Sequence, residues 1–141
     1  MLDLEGNIVT AIQIIALILL TIGVYPYRIR TKNRNLIIHG FLAIIALALN
    51  ISTIFYVMIP TLIDGIGSLN ELSVLQSAIV WLHVGIGLLA VTLGIIIVVS
   101  WIIHPLAELG CSRTWRFMIP TFAFWTFALI LGILIHFYEI L

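Results

Sequence analysis

Along the chain, long uncharged apolar runs alternate with short polar segments. Four runs stand out, at about residues 8–25, 36–63, 74–103 and 117–138, and none contains Asp, Glu, Lys or Arg. A helix rises about 1.5 Å per residue, so about 20 apolar residues cross a hydrocarbon core of ~30 Å. The runs are not cut by turn residues at the roughly 8–12-residue intervals of a β-barrel. Lipid cannot satisfy open backbone groups, so the spans are predicted to be helices. Tyr25-Pro26-Tyr27 is expected to end the first, because the residue before proline avoids the helical region. Asp64-Gly65-Ile66-Gly67-Ser68 reads as a turn-rich loop after Pro60. His104-Pro105 is expected to end the third helix, and Pro120 to fall in the first turns of the fourth, where a missing N–H costs least. The predicted fold is all-α: a four-helix transmembrane bundle forming a single membrane domain over residues 1–141.

Composition agrees with this pattern. The chain is 63% hydrophobic and 9% charged, against roughly 25% charged for a soluble domain. This excludes a soluble enzyme and points to a lipid bilayer as the surroundings. Six Lys plus Arg balance six Asp plus Glu. With no basic excess and no polybasic tail, nucleic acid is not expected as a partner. The placement of the charges says more than their sum. Arg28, Arg30, Lys32 and Arg34 join the first two spans, and Arg113 and Arg116 join the last two. The positive-inside rule then makes loops 26–35 and 104–116 cytoplasmic in a multi-pass protein of the cell membrane, with both termini outside. Asp3, Glu5, Asp64, Glu71 and Glu139 fall on the outer side, and only Glu108 breaks the pattern. The acidic start of the chain opposes a cleaved signal peptide, which needs a basic first region. Cys111 is the only cysteine, so no internal disulfide is expected.

Against this charge-free interior the histidines are the groups to explain, since ionisable residues in a membrane read as functional. By depth they form two layers. His39 and His104 lie at the cytoplasmic ends of the second and third spans. His83 and His136 lie at the outer ends of the third and fourth. His83 and His104 are 21 residues apart, about 31 Å of rise. Neutral imidazole is a common metal ligand and an axial ligand of haem iron. Imidazoles from neighbouring helices can hold a haem between them, so all four histidines are candidate iron ligands. His83, Gly87, Ala90 and Gly94 share one helix face, and Gly132 lies one turn before His136. Gly87 and Gly132 would clear space for a flat ring, although small residues at such spacings are also ordinary packing surfaces. On the second span Gly40, Ala43 and Ala46 accompany His39. Arg34, Arg113 and Arg116 could bind haem propionates at the inner layer. The outer layer has no Lys or Arg for that purpose, and the histidines could also pair differently.

Asn50, Thr92 and Thr126 form a polar layer at mid-membrane. They read as interhelical hydrogen bonds or as contacts for a quinone-like lipid carrier. Trp101, Trp115, Tyr25 and Tyr27 read as a cytoplasmic aromatic belt, with Trp81 outside. No phosphate-binding glycine loop, HExxH, CxxC or Ser-His-Asp arrangement is present.

Three stretches carry a resemblance: Asn35-Leu-Ile-Ile-His39-Gly40, Leu82-His83-Val84-Gly85, and the segment from Ser112 through Pro120 and Trp125 to Gly132. Together they resemble the small four-helix membrane family with members tied to maturation of haem-copper oxidases. The histidine layers are also similar to those of four-helix b-type cytochromes. The departures are Trp115 and its neighbours, where the family tends to have a histidine, and His136, where it tends to have tyrosine. The expected function is therefore a b-type cytochrome-like membrane subunit with no catalysis of its own. It would carry electrons through one or two bis-histidine haems b, within a membrane redox complex or to and from a quinone-like carrier. The alternative is a haem-free assembly or accessory subunit of a respiratory complex.

Overall fold

The computed structural model describes residues 2–28, 33–67, 72–103 and 108–137. The helices are α1 (Leu2–Arg28), α2 (Asn33–Thr53), α3 (Ile59–Gly65), α4 (Val74–Ile103) and α5 (Glu108–Phe137), with a π-helical stretch, Ile54–Met58, between α2 and α3. Four spans are long and apolar enough to cross a membrane: Gly6–Gly23, Ile38–Gly65, Val74–Ile103 and Arg116–Phe137. The all-α four-helix membrane architecture expected from the sequence is therefore present. α1 packs along α2 and α4 along α5, and the two hairpins meet through α1 with α5 and α2 with α4. The helices thus follow one another around a ring, with α2 diagonal to α5.

Two proline sites differ from expectation. α1 runs through Pro26 to Arg28 instead of stopping at Tyr25. α5 begins at Glu108, so Pro120 lies in the helix interior, where it leaves the carbonyl one turn earlier without its amide partner. The π turn has a related cause. Pro60 stands at the start of α3, and its ring would crowd the carbonyl four residues back. The turn widens just before it, with the Ile59 N–H donating to the Ile54 carbonyl. Ser73 caps α4: its hydroxyl accepts from the Gln76 N–H at 3.3 Å, and Gln76 Oε1 accepts from the Ser73 N–H at 3.0 Å.

The central packing takes one residue from each span: Ala16, Ala46, Ala90 and Trp125. Three alanines let the backbones approach, and one indole fills the space between them. A smaller cluster sets Val80 against Leu62, Leu72 and Ile135. Much of the outer surface is apolar, and several polar side chains lie inside. Phe41, Phe55, Leu88 and Ile103 are exposed, and Tyr56 is 83% exposed, while Gln13, Asn50, Thr53 and Thr121 are buried. In water this distribution would be unstable. In lipid, tails solvate the outer face and polar groups gain by pairing inside.

Candidate functional site: histidine rings seated on glycines, and an apolar cavity

Each described histidine lies against a neighbouring helix. The His39 Nδ1–H on α2 donates to the Gly23 carbonyl of α1 at 2.7 Å. A carbonyl only accepts, so Nδ1 carries a proton here and the contact fixes the ring's orientation. His83 on α4 does the same across the other hairpin, donating from Nδ1 to the Ala128 carbonyl of α5 at 2.8 Å. His136 near the end of α5 has the opposite arrangement. Its Nε2–H donates to Asn7 Oδ1 of α1 at 3.2 Å, and its Nδ1 lies where a side chain on Gly6 would begin.

Glycines make these seats. A Cβ on Gly23 would meet His39 Nδ1 at 3.3 Å, one on Gly132 would meet His83 Cε1 at 3.0 Å, and one on Gly6 would meet the His136 ring at 2.5 Å. The Trp101 indole of α4 rests on Gly40 of α2 in the same way, with no room for any Cβ. Trp101 is therefore half-buried at a helix interface, whereas Trp81 is 55% exposed as a belt residue would be. Gly132 does clear space for a ring, but the occupant is His83's own imidazole. Gly87 has nothing within 4 Å of where its Cβ would stand. On the same face Ala90 is in the core and Gly94 is buried against Leu47, so that part of the stripe is a packing surface.

The candidate inner and outer layers differ in what surrounds them. His83 turns to α5 and His136 to α1. At the other end a cavity of about 310 Å³, partly open on one side, is enclosed by all four spans. His39 lines it, together with Ala43, Gly94, Met118, Thr121 and Trp125, and its walls are almost wholly apolar. Arg116 is exposed at the start of the fourth span. His104 and the side chains of Arg34 and Arg113 lie outside the described residues. Among the described residues no group of three or more His, Cys, Asp or Glu could hold a metal ion.

The mid-membrane polar layer is built otherwise than expected. Asn50 does make an interhelical bond, to Gln13 of α1, whose Nε2 donates to Asn50 Oδ1 at 3.4 Å and to the Thr53 hydroxyl. Thr53 in turn donates to the Asn50 carbonyl at 2.8 Å. Thr92 and Thr126 instead donate to Leu88 and Phe122 within their own helices. Gln13 is the residue that sequence reasoning passes over. The available signal was a single amide in an otherwise apolar run. No family model, curated protein or solved structure matches the chain.

Proposed function

We propose that this protein is an integral membrane electron-transfer subunit that holds one haem b at the His39 end of the bundle. The observation that supports this reading is an apolar cavity among four helices with an oriented histidine on its wall. Histidines that ligate metals usually donate their other ring N–H to a carbonyl or carboxylate, as His39 does to Gly23. A volume of about 310 Å³ falls at the lower end of cofactor-sized pockets, roughly 300–1,000 Å³. The small side chain of Ala43 on one wall and the open side extend the room for a flat ring. A tetrapyrrole brings its own equatorial nitrogens and asks the protein only for axial ligands, so a cluster of three or more ligating side chains is not needed.

When bound, haem b supplies reversible one-electron exchange. The chain's own residues would do the rest. His39 would be the candidate ligand, the Gly23 carbonyl would hold its ring's orientation, and the apolar walls would exclude water and so help to set the potential. Arg116, with Arg113 three residues before it and Arg34 at the start of α2, would be the candidates for propionates. The other end suits a second haem less well, because His136 turns Nδ1 onto Gly6 and His83 occupies the Gly132 notch. With the basic loops cytoplasmic, the haem would lie towards that face. Its electron partners would be other subunits of a membrane redox complex or a quinone-like carrier. The second reading, a haem-free assembly or accessory subunit, draws support from the same contacts, since every described histidine already joins two helices.

The visible spectrum of protein purified after expression with ample haem decides between them. The expected result is a Soret band and a reduced α band that His39→Ala removes and His136→Ala leaves. A colourless wild-type protein would overturn the haem reading in favour of the accessory one.

A further inference from the structure

We infer that the cavity takes the ring of a lipid-soluble quinone, with the Trp125 indole N–H donating to one of its carbonyl oxygens. Three observations carry this. The first is an unpartnered donor. Trp125 of α5 lines the cavity and is only 3% exposed, and its buried Nε1–H has no acceptor among the described residues. A buried indole N–H ordinarily finds a partner, and one left without is costly. The cavity is the open volume that Trp125 borders, so an occupant bearing an oxygen would supply what the protein does not.

The second observation is the lining. Thr21 and Thr121, the hydroxyls on the wall, donate to the Leu17 and Phe117 carbonyls of their own helices at 2.8 and 2.6 Å. Almost all the rest of the wall is apolar. Water needs several polar partners, so such a space stays dry. Its occupant is apolar over most of its surface and polar at an edge. About 310 Å³ suits a single substituted six-membered ring whose tail leaves by the open side. The third observation is depth. Trp125 lies nine residues beyond Arg116 on one helix, about 13.5 Å of rise, and packs with one alanine from each other span. Ester carbonyls of membrane lipids stay in the interfacial layer, outside the hydrocarbon core, whereas a quinone ring enters that core. The inference does not rest on the haem reading. A tetrapyrrole filling the cavity would leave the ring no room, so the ring is held by the chain without haem.

The test follows the indole N–H signals of the full-length, haem-free protein by nuclear magnetic resonance. The protein, labelled at its indole nitrogens, is held in lipid nanodiscs and titrated with a short-tailed benzoquinone. The Trp125 signal, assigned by its loss in Trp125→Phe, should move downfield in the proton dimension and saturate, and no other indole should show a saturating shift. Trp101 is the internal control, because its Nε1–H is also unpartnered while Trp101 is not on the cavity wall. Ala43→Leu extends a wall side chain into the cavity and should weaken binding about tenfold or more. A Trp125 signal that stays still, the same saturating shift at all four indoles, or unchanged affinity in Ala43→Leu would overturn the inference. An equal shift with a short-tailed ester lacking the ring would overturn it in favour of a lipid occupant. If Trp125→Phe fails to fold, replacing each of the other tryptophans in turn assigns the remaining signal. Haem uptake is read separately from the visible spectrum, so failure of the quinone site and failure of the haem reading are told apart.

Discussion

At each end of the bundle a histidine ring sits in a notch left by a glycine of the neighbouring helix, but the two ends differ in what else surrounds the ring. His83 fills the notch at Gly132, and His136 fills the one at Gly6. His39 also rests on a glycine, Gly23, yet borders a cavity of about 310 Å³. A glycine opposite a histidine therefore has two meanings. It can make room for the imidazole itself, as an ordinary close-packed membrane interface does, or it can leave room beside it. Only the second arrangement leaves open volume next to the ring. Glycine substitutions separate the two, because an added methyl reports directly on what occupies each notch.

The largest effect is expected at Gly40. A methyl there would overlap the Trp101 indole, which is rigid and held at the α2–α4 interface. The helices must part, and Gly40→Ala should destabilise the bundle by about 1–3 kcal/mol, the range for overpacking a close-packed site. Unfolding in mixed micelles, followed by circular dichroism, measures this. A midpoint equal to wild type would mean that Trp101 does not lie on Gly40.

Gly132→Ala should cost less. The new methyl would meet a single edge atom of His83 at 3.0 Å, and a shift of a few tenths of an ångström relieves it. A loss of under about 1 kcal/mol in the same assay is expected, since little packing is forfeited. If the haem-loaded protein instead lost a spectral component, Gly132 would be bordering a cofactor, and the contrast between the two ends would fail.

How much of this could be read from the sequence differs from level to level. The four spans were legible because every Lys and Arg lies between them or, for Arg116, at the first residue of the fourth, and Val74–Ile103 coincides with the third apolar run. The start of α5 was not, since a proline in a helix interior is tolerated in lipid where neighbours re-satisfy the backbone. The π turn before Pro60 depends on where the chain widens to relieve that ring, which no composition rule locates. The histidines were legible as exceptions in an apolar interior, but their partners were not. Lipid-facing and core-facing positions are both apolar here, so hydropathy does not say which faces meet. The cavity wall at Met118 and the pairing of Gln13 with Asn50 and Thr53 follow from the mutual register of the helices, and only the packed bundle reveals that register.

The smallest effect belongs to Gly87. Gly87 and Gly132 look alike in sequence, each a turn deeper than a histidine, and both were candidates for clearing space under an outer haem. Their surroundings differ: nothing lies within 4 Å of a Cβ at Gly87. Gly87→Ala therefore meets no clash and gains helix propensity, worth roughly 0.5–1 kcal/mol in water and less in lipid, where unfolding does not expose the helix backbone. An unfolding midpoint at or slightly above wild type is expected, with the haem spectrum unchanged. A clear loss of stability, or of a spectral component, would mean that a partner helix or a flat cofactor rests on that face. The outer end would then be a ligand site after all, and the distinction between a notch filled by its own histidine and one that leaves room would have to be drawn elsewhere.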